Sequence, residues 1–134
     1  MHTVDELNDL LIDLSFSEDI GDGDHTTLCC IPDDAMGKSQ LIIKEDGILA
    51  GIRIAKEVFH RFDASMQVQV LIEDGSHVKK GDVAMIVTGK VRSLLQTERL
   101  MLNIMQRMSG IATMTAKYVD RLKGTNTRVL DTRK

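Results

Sequence analysis

The stretch from Thr97 to Thr113 constrains the fold more than any other part of this chain, because its residues are sorted at the spacing of an α-helix. Arg99, Asn103, Gln106 and Gly110 follow the i, i+4, i+7, i+11 course of one stripe. Leu102, Met105, Met108 and Ala112 form a neighbouring apolar stripe. A helix patterned this way buries its apolar side in a core and offers an arginine and two amides elsewhere. Most polar stripes are only solvated, so the stripe taken alone assigns no function. Helix is expected from Val91 onward. A break is expected near Ser109 and Gly110, where glycine weakens a helix by roughly 1 kcal/mol and serine can cap a new one running to Leu122.

The rest of the chain reads as α+β. Val4 to Leu14 has apolar residues at 4, 7, 10, 11 and 14 and is expected to form an amphipathic helix that packs by that stripe, begun by a Thr3 and Glu6 capping box. Ser17 to Lys38 mixes glycines with acids, holds Pro32 and lacks periodicity, so it reads as a long loop. Loops of that length are uncommon without a role. Gln40 to Lys44 and Ile48 to Ala50 flank an Asp46-Gly47 turn of the hairpin kind, and Gly51 to Phe62 reads as a helix. Gln67 to Ile72 alternates at period two, Gly75 to Asp82 is a double turn, and Val83 to Thr88 is a further strand. Together these make a small, mostly antiparallel sheet with helices on one side. Arg128 to Asp131 starts a strand without a partner in that sheet, and the domain boundary falls near Gly124-Thr125-Asn126.

At 134 residues the chain is one domain, or one domain and the start of another. A formal net charge of -3 argues against a general nucleic-acid binder, so any basic site must be local. The apolar runs are too short to span a bilayer, and Met1 to Asp5 lacks the regions of a signal peptide. A cytoplasmic protein is expected. The adjacent Cys29 and Cys30 fit neither an ordinary disulfide nor a zinc pattern and read as free thiols. The acidic loop Asp19 to His25 invites a metal, but an EF-hand begun at Asp22 puts Thr27 at the glycine position and Asp33 at the glutamate position. A structural loop with Asx turns and an N-cap is the better reading. His2, His60 and His77 are isolated, which suits surface or packing residues. No phosphate cradle is present: Gly21-x-Gly23 lacks the third glycine, and Gly89-Lys90 lacks the Walker spacing.

Three ordered segments carry a resemblance. The run T-E-R-x-x-L-N-x-x-Q-R-x-S-G-I-A-T over Thr97 to Thr113, the terminal Asp131-Thr132-Arg133-Lys134, and E-D-x-G-x-G-D-x-T-T over Glu18 to Thr27 resemble the quinolinate phosphoribosyltransferases of NAD biosynthesis. The resemblance implies that residues 1–124 are that family's N-terminal α/β sandwich and that 125–134 open an α/β barrel whose remainder is absent. It implies an enzyme that converts quinolinate and phosphoribosyl pyrophosphate to nicotinate mononucleotide, pyrophosphate and CO2, the chain alone being inactive. It also implies substrate-binding roles for Arg99, Arg133 and Lys134, a homodimer in which Arg99 reaches the neighbouring active site, and Mg2+ bound in the barrel, outside this chain. No nucleic-acid or membrane partner is expected. Arginine suits a planar dicarboxylate because its fork donates two parallel hydrogen bonds, and lysine adds a point charge. The competing account of Arg99 is a surface ion pair with Glu98 or a nearby acid, worth under about 1 kcal/mol. The competing functions are a molybdenum-transport-associated paralogue of the same fold, and a biotinyl or lipoyl carrier suggested by the turn over Glu73 to Asp82. The carrier lacks a Met-Lys-Met or comparable hairpin lysine.

Overall fold

Thr3 opens the first helix with both halves of the expected capping box, its hydroxyl accepting from the Glu6 N–H and the Glu6 carboxylate from the Thr3 N–H. The computed structural model describes residues 3–132. Its elements are α1 (Val4–Ile20), α2 (His25–Cys30), β1 (Met36–Ile42), β2 (Gly47–Ile48), α3 (Ile52–Phe62), β3 (Gln67–Val70), β4 (His77–Val78), β5 (Val83–Lys90) and α4 (Val91–Arg121). The α+β class holds: one sheet has the antiparallel order β1-β5-β3, a second pairs β2 with β4, and helices supply the other half of the core.

β1 and β2 do not form the expected hairpin. β1 pairs with β5, setting Gly37, Ser39 and Leu41 opposite Gly89, Val87 and Met85, while Val68 and Val70 of β3 lie opposite Val87 and Met85 on the other side. β2 instead pairs with β4, and Asp46 in the supposed turn accepts the Lys80 N–H at 2.8 Å. α3 begins where expected, at Gly51, whose φ of +105° lies in the left-handed region that favours glycine. Gly51 has no side chain to cap the helix, so Asp74 accepts the Ile52 N–H at 2.8 Å. Ala55, Val58 and Phe59 of α3 share one core with Met85 and Val87 of β5 and Leu100, Met101 and Met105 of α4.

α1 packs, but not by the expected stripe. Val4, Leu7, Leu10, Leu11 and Leu14 remain 50 to 69 % exposed. The docked side is the opposite one, where Ile12 is buried and the Phe16 ring lies 5.2 Å from that of Phe62. Asp5, Asp9 and Asp13 recur every fourth residue on that side and meet Arg53 and Arg61 of α3. These are surface pairs, each contributing little, and together they set which face turns inward.

The expected long loop is mostly structured. α1 runs on to Ile20, and Asp24 caps α2 by accepting from the Thr27 N–H at 3.1 Å and from the Thr27 hydroxyl. Arg92, at the start of α4, donates to Ile31 O at 2.8 Å and Leu28 O at 3.0 Å and pairs with Asp33 at 3.2 Å, so α2 and its exit are tied to α4. Cys29 and Cys30 are exposed free thiols. The strand expected over Arg128 to Asp131 is not formed: residues 126–132 carry neither helix nor strand. An extended segment needs a neighbour for its ladder, and no described strand pairs with it.

Candidate functional site

α4 is a single unbroken helix of 31 residues, about 46 Å long at the α-helical rise. The expected break does not occur because Ser109 turns away from its own helix. Its hydroxyl donates to Ala50 O at 3.1 Å and accepts from the Ala50 N–H at 3.0 Å. One turn on, Thr113 Oγ1 accepts the Ile48 N–H at 2.9 Å. Two hydroxyls thus hold the far half of α4 to β2 and to Ala50 just after it. The approach is as close as glycine permits, since a Cβ on Gly47 would lie 2.5 Å from Thr113 Oγ1.

The near half is held as firmly. Ser93, buried, donates to Asp63 Oδ2 at 2.7 Å, and the fully buried Thr97 donates to Ser93 O at 2.7 Å. Asp63 closes α3 and also accepts from the Ser65 hydroxyl and N–H. Those hydrogen bonds, first from the Ser65 hydroxyl and then from Ser93, hold the Asp63 carboxyl below its ordinary range. A carboxylate depressed in the folded state stabilises above the unfolded value of about 4, and this contribution disappears as pH falls through the folded value. The stability gap between the wild type and Asp63→Asn is therefore expected to shrink in acid. Urea midpoints of both proteins across a pH series check this, and a gap that stays constant from neutral to acid pH would refute it.

Between these two anchorages α4 buries Thr97, Leu100, Met101 and Met105. The expected apolar stripe is only partly inward: Met105 is buried, Leu102 and Ala112 are half-buried, and Met108 is 38 % exposed with its sulfur over Gly51. Arg99, Asn103, Gln106 and Gly110 are all exposed. The expected polar stripe is therefore real, and the helix beneath it is pinned at both ends. Arg99 has no ion pair among the described residues, so the surface-pair account of it fails. Its neighbour Glu98 instead lines a cleft of about 240 Å³ with Lys38, Gln40 and Leu95. Arg133 and Lys134 lie outside the described residues.

Sequence reasoning missed the residues that aim the stripe. Arg92, Ser93 and Asp63 belong to no recognisable spacing, and Ser109 and Thr113 sat inside the resembling run with no sign that their partners were backbone groups of Ile48 and Ala50. A wider hollow of about 480 Å³ lies among Asp9, Lys56, His60, Arg61 and Met66, but Arg61 there is already engaged by Asp9 and Asp13. In the acidic loop, Asp24 is the α2 cap and Asp22 lies 3.5 Å from His25. Among the described residues no three His, Cys, Asp or Glu side chains come together as a metal site.

Residues 24–109 match the family described as quinolinate phosphoribosyl transferase, N-terminal domain. The chain is 45 % identical over 111 residues to the chloroplastic nicotinate-nucleotide pyrophosphorylase [carboxylating] of Oryza sativa subsp. japonica, a match covering 82 % of this chain and 30 % of that protein. The crystal structure of NadC from Streptococcus pyogenes superposes with a TM-score of 0.92 at 36 % identity, covering 99 % of this chain and 47 % of the other. The nicotinate-nucleotide pyrophosphorylase from Francisella tularensis gives 0.90 at 33 % identity, with 98 % and 47 % covered. The chain thus spans under half the length of these relatives. The match displaces the carrier reading of the turn over Glu73 to Asp82.

Proposed function

Given that this chain belongs to the quinolinate phosphoribosyl transferase family, we propose that it forms the N-terminal part of an enzyme that joins quinolinate to phosphoribosyl pyrophosphate in NAD biosynthesis. The observation that carries this reading is Arg99, exposed at the middle of an anchored helix and matched to no carboxylate among the described residues. The ring nitrogen of quinolinate bonds to C1 of the ribose as the C1–O bond to pyrophosphate breaks, and the electron pair leaves with the pyrophosphate. The bond to the adjacent carboxylate then breaks to release CO2. Its electrons stay on the ring carbon beside the cationic nitrogen until a proton replaces them, giving nicotinate mononucleotide. Orienting anions and excluding water are the protein's main tasks in such a reaction. The Arg99 fork holds a carboxylate of quinolinate, and Arg133 and Lys134 add two further cations.

Residues 125–134 lead into the barrel of the longer family members, which carries the phosphoribosyl pyrophosphate and magnesium sites, and the 134-residue chain alone does not turn over. Arg99 serves the active site of a second subunit in a homodimer. Exposed Ile111, Met114, Tyr118 and Val119 on α4 support an apolar contact of that kind. The working compartment is the cytoplasm. No helix among the described residues is long and apolar enough to cross a membrane.

In an enzyme assembled with this chain, Arg99→Ala is expected to weaken quinolinate binding by about 1.5 to 3 kcal/mol while leaving the melting temperature nearly unchanged. Arg99→Lys should recover only part, because a point charge does not reproduce the fork. Equilibrium titration with quinolinate measures both. An unchanged affinity in Arg99→Ala would remove Arg99 from the site.

A further inference from the structure

We propose that Arg107 is a second anion-binding residue on the exposed side of α4, taking a phosphate of the phosphoribosyl donor while Arg99 holds the acceptor's carboxylate. This rests on the function proposed above and adds a contact for the second substrate.

The charge pattern of α4 carries the inference. From Arg99 to Val119 the helix contains Arg99, Arg107 and Lys117 and no aspartate or glutamate, in a chain whose net charge is -3. All three cations are exposed. The arginines that face α1 and α2 are matched: Arg53 with Asp5, Arg61 with Asp9 and Asp13, and Arg92 with Asp33. Arg99 and Arg107 hold no carboxylate among the described residues, and neither do Arg121 and Arg128 at the far end of α4 and beyond. The helical neighbours of Arg107 at three and four residues are Asn103, Ile104, Gly110 and Ile111, so its own helix offers it no acid. Beside Arg107 the helix is bare. A Cβ on Gly110 would meet nothing within 4 Å, so packing within this chain does not require glycine there. Its absence leaves the helix surface open to a group from outside.

Spacing selects the ligand. Arg99 and Arg107 are separated along α4 by about 12 Å. Adjacent carboxylates on one pyridine ring are too close together to serve both. Phosphoribosyl pyrophosphate is an extended polyanion with phosphate at each end of the ribose, and it must lie against the acceptor ring for transfer to occur. An arginine fork suits a phosphate oxygen pair as it suits a carboxylate.

The test is a titration of the 15N-labelled chain with inorganic pyrophosphate, with ribose 5-phosphate and with quinolinate, following the arginine Nε–H signals and the Gly110 amide by NMR. Arg107→Ala, Arg107→Lys and Arg99→Ala are compared, each with its amide spectrum confirming the fold. Pyrophosphate or ribose 5-phosphate is expected to move the Arg107 and Gly110 signals, and whichever binds more tightly identifies the end of the donor that docks there. Arg107→Ala should weaken that binding roughly tenfold or more while leaving quinolinate unaffected, with partial recovery in Arg107→Lys. The proposal is overturned if neither phosphate probe moves the Arg107 signal, if sodium chloride at equal ionic strength moves it as far, or if Arg107→Ala binds the probes as the wild type does. Loss of the quinolinate response at Arg99 alone would instead count against the function proposed above.

Discussion

Phe59→Ala is expected to lower the unfolding free energy by about 3 to 5 kcal/mol, a large share of the roughly 5 to 15 kcal/mol that holds a typical domain together. Phe59 is 2 % exposed and belongs to the single core shared by α3, β5 and α4. With Met85, Val87 and Met101 it lines the cleft between β1 and α4, so truncation deepens an existing hollow. That hollow closes poorly, because Ser93, Ser109 and Thr113 fix α4 at both ends and prevent it from sinking inward. The cost should therefore sit toward the upper part of the range. Phe59→Leu keeps most of the volume and should cost clearly less. Urea unfolding of both variants checks the order, and a loss under about 1 kcal/mol for Phe59→Ala would mean the core is not packed as described.

Gly47→Val is expected to cost roughly 2 to 4 kcal/mol, from overpacking and a disrupted hydrogen bond together. The new Cβ would sit 2.5 Å from Thr113 Oγ1 and 3.3 Å from its Cγ2, so the helix must move away from β2 and the Ile48 N–H loses its acceptor. Thr113→Ala loses only that hydrogen bond and should cost about 1 to 3 kcal/mol. The two changes should not add, because alanine at 113 removes the very atoms that valine at 47 strikes. A double-mutant cycle by denaturant unfolding decides this, and strictly additive costs would mean that the two residues do not press on each other.

Periodicity revealed α3, β3, β5 and the helical course of α4, since each repeats its apolar residues over enough turns or pleats to read locally. Face assignment was less legible. In α1 the apolar stripe drew attention to Val4, Leu7, Leu10, Leu11 and Leu14, yet Asp5, Asp9, Asp13 and Ile12 mark the docked side, because α3 offers arginines there. Strand partners were hidden for a similar reason. Asp46-Gly47 has hairpin chemistry, but which strands pair was settled by distant segments, β5 for β1 and β4 for β2. α2 escaped notice because six residues are too few to show a period, and its stability comes from the Asp24 cap and from Arg92, which is far away in sequence. At the site, the exposed row of Arg99, Asn103, Gln106 and Gly110 was readable. The anchoring of that row through Ser93, Ser109 and Thr113 was not, since serine and threonine inside a helix look the same whether they meet solvent or another segment's backbone.

The unbroken course of α4 through Gly110 also bears on how sequences of this kind can vary. Because one helix carries Arg99 and Arg107, the gap between them is a fixed gauge set by peptide geometry and not by a loop that can stretch. Exchanging the exposed side chains between them leaves that gauge intact, whereas inserting or deleting one residue shifts everything beyond it by about 1.5 Å and turns it by about 100°. Such a change would swing Arg107 off its side of the helix and pull Ser109 and Thr113 out of reach of Ala50 and Ile48 together. At the exposed positions between the two arginines, drift in composition is therefore permitted, whereas the buried Leu100, Met101 and Met105 are held by the core and drift in length is excluded.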